Sequence, residues 1–192
     1  MPKGFRPAEK QVITQTLLAA CKASWRAYGY KKTSLDTLCQ QAGISKGAFY
    51  VFFDSKEALF YQVLLDTQRQ LYQQVENCLA QNPSKQGVCE ALKAVYREYR
   101  GGGFLYDTKS GDFQSFLNKL SEEQRQELTG ASYVGAKQMV EKPFLTLKVG
   151  EEMALSLLSV LLASASHQEN LLCDPEEVFG FLIDHLIDSI FE

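Results

Sequence analysis

Thr33 to Leu59 reads TSLDTLCQQAGISKGAFYVFFDSKEAL: two short apolar-faced segments joined by a tight turn, then the start of a third. Thr33 is placed to N-cap a helix whose apolar face is Leu35, Leu38, Cys39 and Ala42. Gly43 ends that helix, because a residue without Cβ enters the left-handed C-terminal conformation at no steric cost, and Ile44 anchors the turn in the core. Ser45 caps the next helix, whose spacing turns Phe49 and Phe53 inward and leaves Lys46, Ala48 and Tyr50 facing out. Two helices held across such a turn make a helix-turn-helix, in which the N-terminal residues of the second helix enter the DNA major groove and touch base edges. A further helix is expected from Asp54 or Ser55, where Asp54 and Glu57 have capping-box spacing.

Working outward, the run AGISKGAFYVFFDSKEALF (42–60) resembles the recognition helix and the start of the fourth helix of the TetR family of bacterial transcriptional regulators. Ala19-Ala20, Trp25, Gly29-Tyr30 and Thr33-Ser34 lie upstream at the family's distances, while Val51 and Phe52 stand where the family often has a histidine or another aromatic beside the tyrosine. The resemblance is specific over roughly Val12 to Phe60, and beyond that only the helix layout is similar. It implies an all-α chain with a three-helix DNA-binding domain over 1–55 and a helical ligand-binding and dimerisation domain over 56–192. It also implies a dimeric repressor on a palindromic operator in double-stranded DNA, released by a small-molecule effector.

The residues expected at the DNA are Thr33, Ser45, Lys46, Gly47, Ala48, Tyr50 and Lys56. Lys46 is placed to donate to guanine acceptors or to phosphate, Ala48 to meet a thymine methyl and Tyr50 to offer its hydroxyl to phosphate. Gly47 costs about 1 kcal/mol in a helix relative to alanine, a cost that makes sense where a side chain would strike the DNA. Lys56 opposes the helix dipole at the start of its helix unless something negative sits there, and a phosphate fits. Thr33 is expected to set its hydroxyl on the backbone in the same way.

Charge follows the motif. Residues 1–56 hold nine Lys and Arg against three acids, a net of +6, whereas the remainder holds 11 against 20, a net of −9. The overall balance of −3 therefore hides a basic segment that coincides with the DNA-reading pattern.

The five cysteines (21, 39, 78, 89 and 173) are odd in number, widely spaced and without a CxxC pair, so they define no disulfide framework. Cys39 reads as a small core residue between the two helices of the motif. Neither His167 nor His185 lies near a cysteine in sequence, so no metal site is expected, and no cofactor. An enzyme is not expected either, because no nucleophile with a base and no metal cluster is visible. The N-terminus lacks the apolar core of a signal peptide, and the longest uncharged run, Met153 to Gln168, is 16 residues against the roughly 20 that span a bilayer, so a cytoplasmic protein without membrane contact is expected.

Downstream, helical spacing continues to the end of the sequence. Helices are expected over about 8–28, 54–81, 85–100, 112–120, 121–142, 150–166 and 174–191, with Ser121 and Asp174 as caps and Pro175 at a first helical position. The last two are apolar beyond what one neighbouring helix needs, and Leu157, Leu161, Phe179, Ile183 and Ile187 are the residues expected in a dimer interface. The segment between 60 and 144 is rich in aromatics, among them Phe104 and Tyr106, with a triple glycine at 101–103 that reads as a connector. By resemblance to the family, Phe60, Leu64, Tyr96, Tyr99, Phe116 and Tyr133 are the candidates for an effector pocket, expected to be roughly 300 Å³ or larger. The alternative to a ligand-responsive regulator is a small-molecule-binding or interaction dimer that does not bind DNA.

Overall fold

Nine helices are present in the computed structural model, which describes residues 5–103, 107–164 and 171–192. They are α1 (Pro7–Lys32), α2 (Leu35–Gln41), α3 (Lys46–Phe49), α4 (Lys56–Gln81), α5 (Lys85–Gly101), α6 (Gly111–Leu117), α7 (Glu122–Val140), α8 (Glu151–Ala163) and α9 (Pro175–Ile190). Extended backbone pairing among the described residues is limited to one isolated bridge, Leu147 to Phe191. None of the described helices is long and apolar enough to cross a membrane. Phe104, Tyr106 and His167 lie outside the described residues.

Small polar residues set the helix starts. Ser45 Oγ accepts from Ala48 N–H at 3.1 Å, Ser84 Oγ from Gly87 N–H at 3.3 Å and Ser110 Oγ from Phe113 N–H at 3.1 Å. At α7, Ser121 and Gln124 exchange bonds of 3.0 and 3.2 Å, a complete capping box. The box expected from Asp54 and Glu57 is not formed. Ser55 Oγ takes the Ala58 N–H at 3.0 Å instead, and the Glu57 carboxylate accepts from the Tyr30 hydroxyl.

The chain divides into two compact units, neither continuous in sequence. The first comprises the described residues up to Thr67 together with those from Gly103 to Arg125. It holds α1, α2, α3, the first turns of α4, and α6, so it reaches well beyond the boundary expected at 55. Its centre is Trp25, whose ring lies 4.7 Å from Phe60, 5.0 Å from Phe116 and 5.8 Å from Phe113 between centroids. Burying each such phenylalanine contributes about 1.5–3 kcal/mol, and two of the three come from α6, which explains why that helix belongs to this unit. Cys39 is buried beside Leu38 and fills a core position as expected.

The second unit comprises the described residues from Gln68 to Gly102 and from Gln126 onward, that is the rest of α4, α5, most of α7, α8 and α9. Leu92, Tyr96, Leu155, Leu158, Leu161, Phe179, Ile183 and Ile187 are among its core residues. Along the flank of that core, α5 and α9 run antiparallel with basic residues on one facing acidic residues on the other. Lys85 meets Asp188 at 3.1 Å, Lys93 meets Asp184 at 2.7 Å, Arg97 meets Glu176 at 2.7 Å and Arg100 reaches Asp174 at 3.9 Å.

This packing corrects the residues expected at a dimer interface. Leu161, Phe179, Ile183 and Ile187 are the inward stripe of α8 and α9 and fill the unit's own core, with Leu157 partly buried against them. The sequence shows that these helices are apolar nearly all round, and only the packing tells which side a single unit consumes. The side left outward carries Met153 and Val160 on α8 and Phe181 and Leu182 on α9, all exposed.

Candidate nucleic-acid interface and effector cavity

The reading motif is α2, the turn Ala42–Ser45 and α3. Gly43 has φ +67°, and a Cβ placed there would meet nothing within 4 Å, so glycine is required by backbone conformation alone. α3 is held by Phe49, which is fully buried and packs on Phe53 at 5.8 Å and on Tyr50 at 5.4 Å. Around it Ser45, Lys46, Gly47 and Tyr50 are exposed and Ala48 is half-buried, so α3 is accessible from outside on every side except that of Phe49. Lys46 Nζ lies 3.1 Å from Asp36 on α2, an exposed pair of the kind worth about 0–1 kcal/mol, which a stronger anion displaces. At Gly47 the nearest atom to an added Cβ is Ser45 Oγ at 3.9 Å, so packing within the protein does not call for glycine.

Two of the expected DNA contacts are placed elsewhere. Thr33 does not cap α2; Ser34 stands at that position. Thr33 is buried at 4% exposure, and both its N–H and its hydroxyl donate to the Gly29 carbonyl, at 3.2 and 2.7 Å. The reason is the break in α1 at Gly29 (φ +82°), after which the chain makes another turn and spends Thr33 on ending it. Lys56 turns back onto α1: its Nζ donates to the Tyr30 carbonyl at 2.7 Å and stands 4.4 Å from the Tyr30 ring centroid and 5.3 Å from that of Phe60. Burial draws its pKa below the ordinary lysine value, with Glu57 acting in the opposite direction. A carbonyl and two ring faces thus occupy the ammonium that was expected on a phosphate.

One participant in this unit carries no signal in the motif. Asp112 on α6 accepts the Tyr30 N–H at 2.6 Å and the Lys31 N–H at 2.9 Å, filling the two donors that the break at Gly29 exposes. A Cβ on Gly29 would stand 2.6 Å from Asp112 Oδ2, so glycine there serves both the positive φ and the approach of the carboxylate. The sequence places the start of a short helix at Asp112, but its partner 82 residues away was not readable.

A cavity of about 170 Å³ lies within the second unit among α4, α5, α7 and α8. Gln68, Tyr72, Tyr99, Ser132, Met139 and Leu158 are on its wall, and no lysine, arginine, aspartate or glutamate is among the described residues that line it. Of the six expected pocket residues only Tyr99 lines it, and the volume is smaller than expected. Phe60 and Phe116 are consumed by the Trp25 cluster and Leu64 is buried in the same unit. Tyr96 stacks on Phe179 at 3.8 Å with its hydroxyl on the Pro175 carbonyl, and Tyr133 is exposed. Gln68, which the sequence reading passed over, donates through Nε2 to the Leu128 carbonyl and to Ser132 Oγ, each at 3.1 Å. Its Oε1 is buried without a hydrogen-bond partner, a state that costs about 1–3 kcal/mol.

The sequence profile of bacterial regulatory proteins of the tetR family matches residues 17–63, the stretch that holds the reading motif. Residues 17–63 are thus a domain of the tetR-family type. YhgD, an HTH-type transcriptional regulator of Bacillus subtilis, is 30% identical over 80 residues, 41% of this chain and 42% of that protein. YerO, another HTH-type transcriptional regulator of that organism, is 23% identical over 173 residues, 84% of this chain and 59% of that protein. The matched stretches therefore span about half the length of these curated relatives. Over the whole chain the fold is similar to that of the transcriptional regulator FadR of Bacillus subtilis, whose structure was solved with stearoyl-CoA: the TM-score is 0.68 at 13% identity, covering 92% of this chain and 98% of that one.

Proposed function

We propose that the chain is a ligand-responsive DNA-binding transcriptional regulator, a repressor that binds a palindromic operator as a homodimer and leaves it when a small molecule enters the cavity of the second unit. The observation that carries this reading is the accessibility of α3, where Ser45, Lys46, Gly47 and Tyr50 are exposed and Ala48 half-buried on a frame fixed by Phe49. The glycine at 47 supports it, since nothing inside the protein requires it and a close approach from outside would. The exposed Met153, Val160, Phe181 and Leu182 supply an apolar surface for the second copy. Two copies read half-sites about one helical turn apart, or a multiple of it. That FadR was solved with stearoyl-CoA supports a ligand role for this fold.

Binding of the purified chain to its own upstream DNA tests the proposal, measured by fluorescence anisotropy across a salt series. Affinity should fall with a log–log slope of about −0.9 for each phosphate neutralised. A flat response removes the DNA-binding role. The inward placement of Thr33 and Lys56 favours a second reading, a small-molecule-binding dimer without DNA binding, and the same salt series separates the two.

A further inference from the structure

We infer that the effector is an uncharged molecule of about one aromatic ring, carrying a hydrogen-bond donor that the Gln68 side-chain oxygen receives. This rests on the ligand-responsive reading above and gives it a chemical class. Size comes first. The cavity is about 170 Å³, close to the apolar cavity of about 150 Å³ that accepts benzene and below the roughly 300 Å³ at which drug-sized pockets begin.

Charge comes second. The described lining offers leucines, valines, alanines, a methionine, tyrosines and serines but no ionised side chain, so a carboxylate, phosphate or ammonium placed there would lose its hydration without gaining a counter-charge. Polarity comes third. The Leu128 carbonyl can only accept, so the NH₂ of Gln68 must face it, which fixes the opposite sense for Oε1. That oxygen is buried without a partner on a residue of the cavity wall, and a hydroxyl or N–H on the ligand supplies the missing donor. Part of the wall is a tyrosine that bridges two helices. Tyr72 reaches from α4 to α7, its hydroxyl bonded to Gln138, and its ring packs so closely on Gly135 that an added Cβ there would stand 3.1 Å away.

The experiment is isothermal titration calorimetry of the full chain with phenol, toluene, benzoate and benzylammonium, on the native protein, Gln68→Leu and Ala136→Phe. Phenol should bind tightest, toluene about tenfold more weakly, and the two ions weaker than toluene. Gln68→Leu should bring phenol down to the affinity of toluene, and Ala136→Phe, checked for a native thermal transition, should abolish both by filling the space. An ion that binds more tightly than phenol, a Gln68→Leu chain that still prefers phenol tenfold, or binding of none of the four overturns the assignment. In those cases release of operator DNA by any other compound keeps the ligand-responsive reading, and no release by sets of neutral, acidic and basic compounds removes that reading too.

Discussion

Lys56 and Lys46 show how one side-chain type serves two ends in a single motif. Lys46 is exposed and shared with an exposed carboxylate, so it remains available to an anion or a base edge. Lys56 is folded onto the Tyr30 carbonyl and ring, where it ties the start of α4 to the end of α1. Substitution should separate the roles. Lys46→Ala should weaken operator binding and relax preference at one base position by about 1–3 kcal/mol, or flatten the salt slope by about 0.9 if its partner is a phosphate. Lys56→Met should lower the thermal midpoint and leave the salt slope unchanged. Its effect should also depend on pH. Because burial lowers the Lys56 pKa in the folded chain from the ordinary 10.5, the unfolded chain holds that proton more tightly, so the native protein should gain stability relative to the variant as pH rises toward that value. A urea titration at several alkaline pH values checks the sign. The exposure of Lys46 was legible from its place after the cap Ser45. The inward turn of Lys56 was not, because its partner lies 26 residues earlier and a long flexible side chain does not declare its direction in sequence.

At the scale of elements, periodicity located every helix to within a few residues, since each buries one face and most start at a serine. The misses are tertiary. α1 continues past its expected end because Asp112, arriving on α6, satisfies the two amides exposed by the break at Gly29. α3 is a single short helix, Lys46–Phe49, because the chain turns again at once to bring Phe53 onto Phe49. The five aromatics expected around a pocket were chosen by type, and type does not distinguish a ring that lines a cavity from one that fills the Trp25 cluster. Asp112→Ala should leave the Tyr30 and Lys31 amides without their carboxylate and cost about 1–3 kcal/mol in urea-induced unfolding, with Asp112→Asn costing less because one acceptor oxygen remains. Equal stability of all three proteins would show that water replaces the carboxylate without loss.

For the molecule as a whole, the charge split of +6 and −9 pointed to a DNA-reading N-terminal part, and the apolar excess of α8 and α9 pointed to assembly. Which of their faces is free required the packing. Val160→Arg or Phe181→Asp should leave the helical circular dichroism intact and shift sedimentation from dimer to monomer, whereas Ile183→Arg should unfold the second unit, since it places an unpaired charge in the core. A monomeric native chain at micromolar concentration would remove the assembly. The discontinuity of the first unit bears on how this protein is made. A nascent chain that has emerged as far as residue 67 holds the whole reading motif but neither Phe113, Phe116 nor Asp112, so Trp25 lacks two of its three ring partners and the break at Gly29 lacks its acceptor. At synthesis rates of roughly 5–20 residues per second, that half-built head waits several seconds for α6. Vectorial synthesis therefore completes the core of the first unit only after about a third of the second unit's own chain has been translated, and a fusion that borrows only the profile-matched stretch 17–63 inherits the motif without the part that seals it.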